Sequence, residues 1–174
     1  ESYLISFFGR LNYILADKYY LTVTVREDGS SRFAKDNRWG LFPSLALAWD
    51  IKGENFVKSV SLISALKLRL GYGITGQQEI GAGDYPYLAR YTSGLVNAQY
   101  QMGNMWITTL RPEGYDKNLK WEETTTYNIG LDFGLLKERI TGSIDAYYRP
   151  TKDMLNTIPV PAGTNLTNQI LTNV

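Results

Sequence analysis

The sequence predicts an all-β protein, an antiparallel up-and-down meander of about six strands that forms part of a larger transmembrane β-barrel. Three observations carry this expectation. Apolar and polar residues alternate strictly: Tyr19, Leu21, Val23 and Val25 fall on one face of a strand, and Tyr20, Thr22, Thr24 and Arg26 on the other. Successive side chains of a strand point to opposite sides, so such a segment is a ribbon with one apolar and one polar face. Connections are short after the first and fifth strands, moderate after the third, and long after the second, fourth and sixth, the asymmetry of outer-membrane barrels. Finally, 13 Tyr and 4 Trp supply amphipathic aromatics at a level suited to membrane headgroups or sugar rings.

The first expected strand spans residues 3–15. Ile5, Phe7, Gly9, Leu11, Tyr13 and Leu15 share one face; Ser6, Arg10 and Asn12 lie opposite, with Phe8 and Ile14 breaking the pattern. Ala16-Asp17-Lys18 makes a tight turn into the second strand, residues 19–27. Residues 28–38 have the Gly, Ser, Asp and Asn of a loop. In the third strand, residues 39–49, Trp39, Leu41, Leu45, Leu47 and Trp49 oppose the small Gly40, Ser44, Ala46 and Ala48. Pro43 lacks an N–H and predicts a bulge or an unpaired position there. Residues 50–64 are the least strand-like, and Val57, Val60, Leu62 and Ile63 suit one short helical turn.

A fourth strand, residues 66–75, sets Leu66, Leu68, Leu70, Tyr72 and Ile74 against Lys67, Arg69, Gly71, Gly73 and Thr75. Residues 76–118 are a long aromatic-rich loop in which 87–91 and 98–102 suit a hairpin. The fifth strand, 120–133, places Trp121, Tyr127, Ile129, Leu131 and Phe133 opposite Glu122, Thr124, Thr126, Asn128 and Asp132. The sixth, 139–149, opposes Ile140, Ile144 and Tyr148 to Ser143, Asp145 and Arg149. Residues 151–174 are expected to be a third long loop, with Pro159 and Pro161 excluding a central strand. An open meander leaves backbone groups unpaired in lipid, and the smallest transmembrane barrels have about eight strands, so the chain is expected to be a piece of a larger wall. Its start, Glu1-Ser2-Tyr3-Leu4, lacks a basic, hydrophobic leader, so the chain is expected to begin either after a cleaved signal or, the favoured reading, in the middle of a longer protein.

A net charge of +1 gives no footprint for nucleic acid. The absence of Cys and His removes disulfides, thiolate chemistry, Ser-His-Asp triads and most zinc sites, and no cofactor is read from the residues. An enzyme is therefore not expected. Gly71-Tyr72-Gly73-Ile74-Thr75-Gly76 matches a dinucleotide fingerprint, yet the following Gln77-Gln78-Glu79-Ile80-Gly81 favours a loop over the helix that a pyrophosphate needs. Asn165-Leu166-Thr167 fits a glycosylation pattern by chance, and adjacent Glu122 and Glu123 face opposite ways on a strand.

Two groups of residues suggest contact with a ligand. Arg10, Asn12, Arg26, Lys67, Arg69, Asn128, Asp132, Asp145 and Arg149 all fall on polar faces, making either a lumen-facing path or a solvated wall whose charges pair across strands. Tyr85, Tyr87, Tyr91, Tyr100, Trp106 and Tyr115 crowd the longest loop, where flat rings can stack on sugars, pack on one another or meet a lid.

Several blocks resemble one family. They are Gly9-Arg10-Leu11-Asn12-Tyr13, Arg26-Glu27-Asp28-Gly29-Ser30-Ser31-Arg32-Phe33, Asn37-Arg38-Trp39-Gly40-Leu41-Phe42-Pro43-Ser44 and Leu66-Lys67-Leu68-Arg69-Leu70-Gly71-Tyr72-Gly73. Asn118-Leu119-Lys120-Trp121-Glu122, Tyr127-Asn128-Ile129-Gly130-Leu131-Asp132 and Thr151-Lys152-Asp153-Met154-Leu155 complete the set. Together they resemble the C-terminal half of the barrel in SusC/RagA-type TonB-dependent transporters. The resemblance implies a barrel of about 22 strands around a plug. It also implies uptake of oligosaccharides or peptides across the outer membrane of a Bacteroidetes-type bacterium, with a SusD-like lipoprotein as lid and TonB contacting the plug. The alternative from a different class is a soluble all-β carbohydrate-binding module, in which the apolar faces would pack on each other.

Overall fold

A computed structural model describes residues 1–79, 81, 83–95, 97–161 and 167–174. Asn165 and Leu166 of the glycosylation-like motif lie outside these. The wall is one antiparallel sheet ordered β1 (Leu4–Leu15), β2 (Tyr19–Ser30), β3 (Trp39–Asp50), β4 (Ile63–Gln77), β9 (Glu122–Leu135), β10 (Ile140–Tyr148). Consecutive long strands are neighbours, as in a meander, and the segment between β4 and β9 is folded apart from the ladder. β1 and β2 are joined by three residues, 16–18, within a turn whose central Ala16 and Asp17 both have φ of 53° and in which Lys18 N–H donates to Leu15 O at 3.1 Å. Positive φ at both central positions matches the twist of the flanking strands. Leu136, Lys137 and Glu138, also at positive φ, close the β9–β10 connection. Between β3 and β4 lie two short helical pieces, Ile51–Gly53 and α1 (Asn55–Lys58); of the four residues expected in a helical turn only Val57 is in one, and Ile63 opens β4.

Several strand ends differ from the sequence reading, β4 among them, which pairs with β9 from Ile63 to Gln77; three differences have a packing reason. β2 continues through Asp28, Gly29 and Ser30, because these pair with β1 on one side and the first two also with β3 on the other; tertiary pairing overrides their turn preference. β9 begins at Glu122, since Trp121 leaves the ladder for a buried cluster. Residues 151–174 are not all loop: β11 (Thr151–Lys152) pairs with β9, and β12 (Leu155–Pro159) makes a hairpin with β13 (Gln169–Asn173). Pro159 sits at the end of that two-stranded ribbon, consistent with its exclusion from a central strand.

The long segment after β4 also departs from its expected form. Residues 87–91 do not pair with 98–102. Instead β6 (Gln99–Met102) pairs with β7 (Met105–Thr108) around Gly103, whose φ is 62°, and β5 (Tyr91–Ser93) pairs with β8 (Leu110–Pro112) outside them. A Gly-Asn pair between two short apolar-rich runs is the hairpin signal that accounts for the nesting.

Pro43 changes the wall. β3 and β4 are paired from Asp50↔Lys67 to Ser44↔Gly73 and no further, while β3 stays on β2 from Trp49 to Trp39. A residue without an N–H ends the ladder on the β4 side, and the two strands splay. The gap is filled by Phe42, Trp121, Phe33 and Leu119, with Ile74, Tyr87, Leu155 and Leu171 packed around them. Trp121 lies 5.2 Å from Phe33 and 5.3 Å from Phe42 between ring centroids, and its indole N–H donates to Arg38 O at 3.0 Å. This cluster ties the 31–38 connection, the approach to β9 and the β12–β13 hairpin to one end of the sheet.

Candidate functional site

Register decides which side chains share a face. Arg10 pairs with Thr24, Thr24 with Ser44, Ser44 with Gly73 and Gly73 with Thr126, so these stand on one side of the sheet. By the same ladders eight of the nine polar residues singled out in the sequence occupy that side, and Arg149, just past the end of β10, reaches Thr126 there. Most are tied to a neighbouring strand. Arg10 Nε donates to Thr24 at 3.2 Å, Thr22 donates to Asn12 at 2.9 Å, and Arg149 Nε donates to Thr126 at 3.4 Å. Arg26 grips Asp28 at 2.7 Å and reaches Ser6 at 3.1 Å, while Lys67 Nζ lies 4.8 Å from the Tyr20 ring centroid. Asn128 stands between Gly71 and Tyr147.

Arg69 is the hub. Its guanidinium donates twice to Asp132 on β9, both at 2.8 Å, and meets Asp145 on β10 at 3.1 Å. Asp145 is two strands from Arg69, and the strand between them carries Gly130 in register with both. A Cβ on Gly130 would sit 2.8 Å from Arg69 Nη2 and closer still to Asp145 Oδ1. The glycine is therefore what lets the cation cross β9. These are opposite charges paired over a solvated wall.

The other face is apolar from β1 to β10. One row runs Leu11, Val23, Leu45, Tyr72, Tyr127, Tyr148, and the next Tyr13, Leu21, Leu47, Leu70, Ile129, Ala146. No second layer covers it among the described residues; Leu11 is 62% and Ile144 64% exposed. A contiguous apolar surface of this extent marks an interaction face, not a water-facing one. Stacked aromatic pairs flank it, Phe7 with Trp39 near one edge and Tyr19 with Trp49 near the other, both with centroids 6.2 Å apart.

The sequence reading missed Glu54. It lies in the β3–β4 connection, where Tyr19 hydroxyl donates to it at 2.7 Å, Lys18 Nζ at 3.1 Å and Trp49 indole N–H at 3.3 Å. The Tyr19 hydrogen bond, then those of Lys18 and Trp49, hold its carboxyl below the usual glutamate range. The available signal was the facing pair Tyr19 and Trp49 at strand ends, whose polar tips need an acceptor in the adjoining turn.

The six loop aromatics are not brought together. Tyr87 packs on the buried cluster, and the Tyr85 hydroxyl donates to Glu1 O at 2.8 Å. Tyr100 pairs with Ile107 and Trp106 with Gln101, which puts the two rings on opposite faces of one hairpin. Tyr91 stands on the separate β5–β8 ribbon, and Tyr115 follows it toward β9.

The family model for the TonB dependent receptor-like β-barrel matches residues 1–174. TonB-dependent receptor SusC of Bacteroides thetaiotaomicron is 57% identical over 98% of this chain and 17% of its own length. TonB-dependent receptor P39 of Formosa agariphila is 40% identical over 95% of this chain and 15% of its own. The RagAB peptide importer in its open-open state superposes with a TM-score of 0.84 at 32% identity, covering 99% of this chain and 18% of that one. Its closed-closed state gives a TM-score of 0.82 at 30% identity, covering 98% of this chain and 18% of that one. The chain thus spans about a sixth of the curated relatives it matches. With six long strands in meander order, one apolar face and one polar face, it belongs to the TonB-dependent receptor β-barrel family.

Proposed function

We propose that this chain is a section of barrel wall in an outer-membrane importer that takes up oligosaccharides or peptides in a TonB-dependent manner. The observation that carries the reading is the two-faced, single-layer sheet. Its apolar face meets lipid, and its polar face lines the lumen. The dimensions agree: Trp39 and Trp49 stand ten residues apart on β3, about 33 Å along a strand. Tilted by about 40°, that span is about 25 Å tall, the height of the apolar band between aromatic girdles. The long connections after β2, β4 and β11 then face outward, and the tight turns face the periplasm.

The relatives support the same reading. SusC is a TonB-dependent receptor by name, and the RagAB structures are of a peptide importer. A SusD-like surface lipoprotein, which the family resemblance implies, covers the outward end. TonB acts through a lumenal plug outside residues 1–174. A soluble carbohydrate-binding module would need its apolar face covered by a second sheet, and none lies there among the described residues.

Uptake of labelled oligosaccharides and peptides by cells carrying or lacking the full-length gene tests this. Import lost with the gene and abolished by a protonophore is the expected result. Import unaffected by both treatments would overturn it.

A further inference from the structure

Near the tight-turn ends of the first four strands, the apolar face carries a groove of about 440 Å³, within the size range of small-molecule sites. Leu21, Leu47 and Leu70 line it in one register row, and Tyr19, Trp49 and Leu68 in the next. The stacked rings of Tyr19 and Trp49 stand at the end nearest the turns, and their polar tips both reach Glu54. Beside that carboxylate lies the part-exposed Lys18, whose Nζ is 3.1 Å from it. An ammonium has three donors, and Glu54 is the one acceptor this one meets among the described residues, so two N–H bonds remain unused. Gly53 lets the lysine stem pack against the β3–β4 connection, since a Cβ there would come within 3.2 Å of Lys18 Cγ. In the same connection Phe56 and Leu62 are more than half exposed. Apolar side chains beyond the aromatic pair mark a level that is still not bulk water.

We infer that this groove is a specific site for one glycerophospholipid of the periplasmic leaflet, with an acyl chain in the groove and the headgroup at Lys18 and Glu54. The inference rests on the lipid-facing orientation proposed above. The aliphatic rows take the chain, and the Tyr19–Trp49 pair lies at the depth where the headgroup begins. Lys18 donates its unused N–H bonds to phosphate oxygens. Lys18 and Glu54 set one charge of each sign side by side, the complement of a headgroup that joins a phosphate to an ammonium. A purely anionic headgroup would meet the carboxylate, and an uncharged diacylglycerol would leave the lysine donors unspent. The groove is also continuous with the apolar rows that run on to β10, so the medium covering those rows reaches it.

The test uses the full-length protein, delipidated in detergent and titrated with dioleoylphosphatidylethanolamine while native mass spectrometry counts the lipids retained. Dioleoylphosphatidylglycerol and dioleoylglycerol are the other arms. Lys18→Gln removes the phosphate donors, and Leu47→Trp fills the groove. Ile144→Trp, on the apolar face away from the groove, is the control. Wild type and the control should each retain one phosphatidylethanolamine more than either groove variant. Loss of charge-assisted hydrogen bonds predicts roughly tenfold weaker retention of the diacylglycerol by wild type. Equal counts in all four proteins, or equal retention of the three lipids, would leave a general lipid belt and overturn the site. Preference for phosphatidylglycerol would overturn the headgroup assignment. Recovery of the full-length protein from the soluble fraction would remove the lipid-facing reading as well, which the other outcomes leave standing.

Discussion

The two faces of the wall distribute burial in opposite ways to a water-soluble domain. On the apolar face, Leu11, Ile129 and Ile144 are at least half exposed in a sheet with no second layer. On the polar face, Phe42 is 7% exposed, Trp121, beside it, is 6%, and Phe33 is fully buried. Hydropathy alternation along these strands therefore reports the medium that each face meets, and burial reports something else, the closing of a local gap in the ladder. The same contrast separates what each face needs. The apolar side needs continuity and no charge; the polar side tolerates charge where it is paired, and needs aromatic filling only where Pro43 parts the strands.

The largest expected effect sharpens the second half of that contrast. Phe42→Ala empties the splay and should destabilise the full-length barrel by about 3–5 kcal/mol in denaturant unfolding. Val23→Arg places a cation in the apolar row and should cost about 2–4 kcal/mol, seen as failed assembly. Thr24→Arg, one residue on, changes faces and should cost less than about 1 kcal/mol, the loss of the Arg10 hydrogen bond across the strands. Equal effects of the two arginines would erase the distinction between the faces. Asp145→Asn removes one partner of Arg69 and should cost less than about 1 kcal/mol, an effect that shrinks further at high salt.

The smallest effect is a pH dependence at the turn end. Glu54 is held below the ordinary glutamate range by Tyr19, Lys18 and Trp49. A carboxyl depressed in the folded state contributes stability above its unfolded value of about 4.3 and loses it as pH falls through the folded value. The stability advantage of wild type over Glu54→Gln should therefore be full at neutral pH, begin to fall near the unfolded value of about 4.3, and be lost as pH drops through the lower folded value. An advantage that survives unchanged at acid pH would mean that Glu54 acts by shape alone.

Period-two alternation made the strands and both faces legible, since each residue from Tyr19 to Arg26 can take only one side once its neighbour is placed. Eight of the nine polar residues followed directly from that rule. Pairing order across the 76–118 segment was not legible, because its strands are short and its ladders depend on the turn at Gly103. The extension of β2 through Ser30 was hidden by turn-forming residues, which β1 holds extended throughout and β3 as far as Gly29. Trp121 continued the apolar period of its strand, so nothing local announced that it turns into the splay opened by Pro43, far away in sequence. Glu54 escaped notice for a related reason: its partners, the adjacent Lys18 and Tyr19 of the β1–β2 turn and Trp49 at the end of β3, meet it only in the folded protein.

The central claim is that adjacent residues of one strand meet lipid and lumen in turn. A nitroxide scan of residues 20–26 in the full-length protein, reconstituted in lipid, measures this directly through collisions with oxygen and with a water-soluble nickel chelate. Oxygen accessibility should peak at positions 21, 23 and 25 and chelate accessibility at 20, 22, 24 and 26. A scan without alternation, or with the two phases exchanged, would contradict the account.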